Sequence, residues 1–329
     1  MNPAPTNPNA NANAADWLAA NQRHLLAALQ RVRLALERAA AGGRAGGEPM
    51  PPPSPNENAE AENAAEPRVE TATAAAPALQ TLCAAFALSP FERDVLLLCA
   101  GRELEASFGA LCAAAQGEPR RESPTFSLAL AALPGAHWSA LTPAAPLRRW
   151  RLLELGAGDV LTAAPLRIDE RVLHFLTGVD YLDDRLQGLV QRVGAEESLP
   201  PSHFALARRL ATEWAGASPD RPRPILQLRD GDAEDRRAVA AAVSALLGLQ
   251  LHALRPADLP ASATERDALA RLWQREAVLS RSALLVEADE TEPEAARGLL
   301  PFLETVGGLI LVNRREHCRC RGARSCAST

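Results

Sequence analysis

The chain contains no lysine; all 35 of its basic side chains are arginines. That absence removes chemistry built on a primary amine, including the ammonium that grips the β- and γ-phosphates in a P-loop. The 40 acidic side chains outnumber the arginines, and a formal net charge of −5 argues against a general binder of nucleic acid or anionic membrane. Aromatic residues make up only 4% of the chain, so its cores have to be built from Ala and Leu. No apolar run approaches the roughly 20 residues that a membrane-spanning helix needs. Residues 1–15 are mostly Asn, Pro and Ala, without the charged and apolar regions of a secretory signal. Cysteine is sparse. Cys83, Cys99 and Cys112 fall in apolar helical segments and read as reduced core thiols, which implies a cytoplasmic setting.

What the chain does contain is organised around residues 224–254, PILQLRDGDAEDRRAVAAAVSALLGLQLHAL. The apolar run Ile225–Leu228 breaks at Arg229-Asp230-Gly231 and then becomes helical in period, with Val239, Val243 and Leu246 on one face. Asp235, Arg236 and Arg237 lie off that face, and Gly248 ends the helix. Leu249, Leu251 and Ala253 then alternate with Gln250, His252 and Leu254, as in a half-buried strand. Strand, glycine turn, helix and strand are the opening unit of a nucleotide-binding α/β domain. The pattern continues with a helix from Ser262, whose Glu265 would complete a capping box. A strand at Ala283–Val286, a helix at Pro293–Thr305 and a strand at Leu309–Asn313 follow. Alternating strands and helices imply a parallel, Rossmann-like sheet over residues 225–313.

The turn can be compared with a working P-loop, GxxxxGK[ST], position by position. Aligned on Gly231, the second glycine is Arg236, the lysine is Arg237 and the hydroxyl residue is Ala238. Asp232, Glu234 and Asp235 would face a triphosphate with like charge. At the end of the third strand, where a Walker B Asp-Glu pair would hold magnesium and orient water, stand Glu287 and Ala288. Asp289-Glu290 supplies that dipeptide two residues late, and Asn313 ends the fourth strand in the position of a polar sensor. The expectation is a degenerate nucleotide site at Gly231, Arg236, Arg237, Glu287 and Asn313. It has no catalytic residue, no metal ligand and no cofactor of its own.

Residues 1–15 read as disordered and residues 16–40 as one amphipathic helix, with Leu18, Leu25, Leu29, Val32 and Leu36 at four-three spacing. That seam either docks on the chain's own domains or self-associates. Residues 41–77, rich in Gly, Pro, Asn and Glu, read as a flexible linker. Residues 78–190 turn globular. Ser89-Pro90-Phe91-Glu92 opens a helix with an N-cap, a proline at the first helical position and a carboxylate at the third. Helices over Leu104–Gln116 and Thr125–Leu133 follow, then strands at 150–155 and 160–162 joined by Gly156–Asp159, and a helix over Asp169–Thr177. Three helices and a hairpin are the plan of a winged helix. DNA is the weaker partner for it, because Arg120, Arg121, Arg148, Arg149 and Arg151 are interleaved with Glu103, Glu105, Glu118, Glu122, Glu154, Asp159 and Asp169. Protein partners are the stronger. Asp183-Asp184 reads as a solvated helix start, residues 191–224 as a junction carrying one short helix, and residues 314–329 as an unstructured tail. His317, Cys318, Cys320 and Cys326 in that tail fit a zinc site poorly, since a CxC pair replaces the usual CxxC.

The segments SPFERDVLLLCAGRELEASFGALCAAAQG, PTFSLALAAL, HWSALTPAAPLRRWRLLELGAGD and LRIDERVLHFLTGVDYLDDRL resemble a known winged-helix domain. It belongs to a bacterial family of AAA ATPases, similar to those encoded with phage-tail-like contractile injection systems. The resemblance implies an N-terminal helix, a winged helix, a degenerate first AAA module over 225–313 and a complete second module. ATP and magnesium are implied for the full-length family only. The departure is that no second P-loop, lid, sensor arginine or arginine finger follows Asn313. The chain therefore reads as a member truncated before its catalytic AAA module, mostly α with α/β, inactive alone. Its parent would use ATP to remodel or assemble protein complexes. The alternative is a self-sufficient, non-enzymatic adaptor, and a DNA-binding regulator ranks behind both.

Overall fold

The computed structural model describes residues 8–44, 76–194, 199–217, 224–289, 293–314 and 324–325. The chain forms two compact units, divided between Val179 and Asp180. This boundary precedes the one expected at residue 190, because residues 190–192 are a strand of the second unit's sheet.

The first unit opens with α1 (Pro8–Arg44), which extends beyond the expected 16–40 at both ends. Leu25, Leu29, Val32 and Leu36 are buried, as the four-three spacing requires, while Leu18 remains 39% exposed. Their partners are helices of the same unit, so the seam serves docking and is not available for self-association. Asn21, buried in this contact, donates to the Leu176 carbonyl (2.9 Å) and accepts from the Ala78 amide (2.8 Å). It satisfies two backbone groups that the docked helix would otherwise strand from water.

Behind α1 lie α2 (Ala78–Phe86), α3 (Pro90–Leu104), α4 (Ser107–Gln116) and α5 (Phe126–Ala132). Both halves of the Ser89–Glu92 capping box form, which fixes the start of α3. Expected from Leu104, α4 starts later because Glu105 is extended and breaks the helical run. A Cβ at Gly101 would stand 2.3 Å from the Phe108 ring, so glycine is what lets α3 and α4 approach. Cys99 and Cys112 are buried and Cys83 half-buried; burial pushes the thiols of Cys83 and Cys112 up to about 11, leaving them protonated and inert.

After α6 (Pro146–Arg149), β1 (Leu153–Leu155) and β2 (Leu166–Ile168) pair antiparallel, and α7 (Glu170–Thr177) follows, capped by Asp169. The second wing strand is not the expected 160–162. Val160 and Leu161 are 58% and 40% exposed at the loop tip, and the paired residues are those that bury Leu166 and Ile168.

The second unit is a six-stranded sheet in the order β3-β5-β6-β7-β4-β8. Its strands are β3 (Val190–Arg192), β4 (Leu226–Leu228), β5 (Gln250–Leu254), β6 (Ser282–Glu287), β7 (Ile310–Asn313) and β8 (Arg324–Ser325). All pairings are parallel except that of β3 with β5. One face carries α8 (Pro201–Ala215) and α9 (Ala233–Leu246); the other carries α10 (Ala263–Leu279) and α11 (Pro293–Thr305). In β6, Leu284 and Val286 face one core while Ala283 and Leu285 face the other, the period of two that a doubly covered strand requires.

Several expectations change here. The strand at 250–254 is buried on both faces, with His252 against Trp273, because helices cover both sides of the sheet. Leu246 is 44% exposed at the end of α9. The Ser262 side chain makes no cap hydrogen bond. The junction's helix, α8, is part of the core, with Leu210 packed beside Val239 and Val243. Asp183 is buried, not solvated: it receives Arg185 and Arg275. Residues 324–325 of the supposed tail pair with β4; His317, Cys318, Cys320 and Cys326 lie outside the described residues.

Candidate functional site

The sheet order sets the carboxyl ends of β6, β7 and β4 side by side, where open α/β sheets form their ligand crevice. The loop after β4 turns at Gly231, whose φ of +84° lies in the left-handed region that glycine enters without strain. Asp232 then caps α9, its carboxylate accepting the Asp235 amide at 2.8 Å. A bound phosphate would need such amides, and here the chain's own carboxylate takes one.

One turn into α9 stands Arg236, buried at 2% exposure. Its Nε donates to Asn313 Oδ1 and one Nη2 proton goes to Asp289 Oδ2. Nη1 reaches the carbonyls of Gly231 (2.5 Å) and Arg229 (3.2 Å). Asn313 in turn donates to the Ala233 carbonyl at 3.4 Å. The planar guanidinium fork thus ties the loop, the end of β7 and the residue after β6 into one network, which a lysine could not span. Next to it, Arg237 Nη1 pairs with Glu287 Oε1 at 2.9 Å. All five residues singled out in the sequence meet at this corner.

The corner is chemically closed. The two arginines at the loop's glycine and lysine positions are each matched by a carboxylate, Asp289 and Glu287. The carboxylate at the metal position faces a guanidinium. Asp232, Glu234 and Asp235 add negative charge at the start of α9, which suits the helix dipole and opposes an incoming phosphate. Ala238 and Ala288, where a hydroxyl and a water-orienting carboxylate would stand, are buried methyl groups. The arrangement ties the strand ends together, with both loop arginines turned to the chain's own carboxylates. Asp289 is the member that sequence reasoning failed to place. Its one signal was Arg236, an arginine at a P-loop's glycine position, which needs an anion nearby once it is buried against the strand ends; periodicity did not show that burial.

In the first unit, the third helix of the trihelical core, α5, occupies the place of a recognition helix. Its sequence, FSLALAA, has no charged or amide side chain, and only Ser127 and Ala131 are exposed. Several arginines of this unit make contacts within it, while Arg120, Arg121, Arg149, Arg151 and Arg167 stay exposed to solvent. Arg148 donates to the Leu141 carbonyl at 2.8 Å, and Arg149 stacks on Trp150 at 5.1 Å. Arg121 pairs with Glu118 at 2.8 Å. Arg167 lies opposite Glu154 in the wing and 3.6 Å from Glu103. The wing tip presents Val160 and Leu161 instead of cations.

A family model described as winged helix domain, variant, matches residues 12–190, more than half of the chain. The match begins within α1, takes in the trihelical core, the wing and α7, and ends on the first residue of β3. No curated protein matches the chain.

Proposed function

The chain belongs to the family of variant winged helix domains, and from that membership we propose that it works by docking protein partners, with a nucleotide-silent α/β module attached. The finer reading is that it is the docking portion of an AAA-type ATPase, of the kind encoded with contractile injection systems. In that setting ATP and magnesium act elsewhere in the assembly, and this chain contributes recognition and architecture to protein remodelling.

The observation that carries the silent-module reading is the pairing of Arg236 with Asp289 and of Arg237 with Glu287. Both cations at the loop positions are used internally. What supports protein over DNA is α5, which has no charged or amide side chain, together with the net charge of −5. The test is phosphate release from MgATP by the purified chain, beside its Glu287→Gln variant. We expect background release from both. Steady turnover that disappears in Glu287→Gln would overturn the silent-module reading. For partner class, fluorescence anisotropy with duplex DNA at low and high salt should show no salt-dependent binding.

A further inference from the structure

While one face of α1 is buried in its own unit, the opposite face carries a second pattern. Arg23, Leu26, Gln30, Leu34 and Glu37 all lie within about 40° of one line along the helix, at 100° per residue. Ala19 and Ala41 fall on the same line one repeat further out, and every one of these residues is exposed. Leu26 and Leu34 are 54% and 55% exposed, more than a leucine on a covered helix would be. Neither Arg23 nor Glu37 forms an ion pair among the described residues.

The stripe is self-complementary. Reflected through Gln30, position 26 maps onto 34, 23 onto 37 and 19 onto 41. Two copies laid antiparallel about a two-fold axis at Gln30 would therefore set Leu26 against Leu34 twice. They would also set Arg23 against Glu37 twice and Gln30 against itself. That is the requirement of an isologous interface, in which one patch must complement its own inverted image. A parallel pairing would oppose arginine to arginine and glutamate to glutamate. We propose that this outer face of α1 is a homodimer interface, whose occupant is the α1 of a second copy in antiparallel register. The contact runs over about 33 Å of helix, from Ala19 to Ala41. It has two leucines per helix, so a weak dimer with a Kd on the order of micromolar is expected. The buried seam of Leu25, Leu29, Val32 and Leu36 takes no part in it.

The test is sedimentation equilibrium of the full chain from about 1 to 300 µM, with circular dichroism to check that each variant is folded. Wild type should pass from monomer to dimer across that range. Arg23→Glu and Glu37→Arg, each alone, place like charges against each other at both ends and should weaken association roughly tenfold or more. The double variant Arg23→Glu/Glu37→Arg restores both pairs in exchanged form and should dimerise again. Mixing the two single variants should give a heterodimer, since one then carries two glutamates and the other two arginines. A monomeric wild type throughout, or a dimer indifferent to Glu37→Arg, would overturn the proposal and leave the face to a different partner.

Discussion

Arg236 sits where a phosphate loop has glycine, yet it is more deeply buried than most leucines of its unit. Burying a guanidinium is unfavourable unless anions and hydrogen-bond acceptors replace its water, and Asp289, Asn313 and two loop carbonyls do so. Arg236→Met should therefore cost about 3 kcal/mol in urea unfolding, toward the low end for a broken buried pair because Asp289 keeps some access to water. Adding Asp289→Leu should recover part of that loss by removing the stranded charge. A second residue gives a pH test. His252 lies opposite Arg192 in the β3–β5 ladder, and burial above all, with that positive neighbour adding, holds its imidazole below the usual histidine range. The unfolded chain then binds a proton more readily than the folded one, so stability should fall as pH drops below about 6.5. Substituting His252→Phe should flatten the dependence of the urea midpoint between pH 7 and pH 5. Neither role was legible beforehand, because periodicity reports which residues face a core and not which polar group has a partner inside it. Arg236 was expected off the apolar face and His252 on a wet one.

Elements were easier to read where a local rule decides them. The start of α3 follows from Ser89, Pro90 and Glu92, and the span of α11 from its apolar period. The wing failed for a physical reason. Val160 and Thr162 are β-branched and favour strands, but the strand that buries its side chains against the trihelical core is Leu166–Ile168, and tertiary packing overrides propensity. Likewise the seam of α1 was visible, while its partner was not, since sequence spacing does not say which surface fills a groove. Two substitutions probe these contacts. Leu29→Ala, at 1% exposure in the seam, should lower the stability of the first unit by about 2–5 kcal/mol. Gly101→Ala, which would push a methyl into the Phe108 ring, should cost about 1–3 kcal/mol by overpacking, even though alanine is the better helix former. Both are read from chemical denaturation followed by circular dichroism. An unchanged midpoint for Leu29→Ala would mean that α1 is not docked in solution.

At the scale of the molecule, the lack of lysine and the excess of acid had already excluded much, and the mostly helical and α/β character was plain from alternating periods. The sheet order was not, because β8 comes from residues 324–325, in a stretch with no apolar pattern, and it pairs with β4. The two units carry different parts of the account: a winged helix whose third helix has no charged side chain, and a doubly covered sheet whose loop arginines are matched by its own carboxylates. We propose that this crevice holds no nucleotide, and that central claim is tested by the melting temperature of the chain with and without millimolar MgATP. A ligand bound only by the folded state at a hundred times its Kd would add about 2.7 kcal/mol, a shift of several degrees in a domain of this size. The account predicts no shift. A saturable rise with MgATP, absent with AMP, would contradict it.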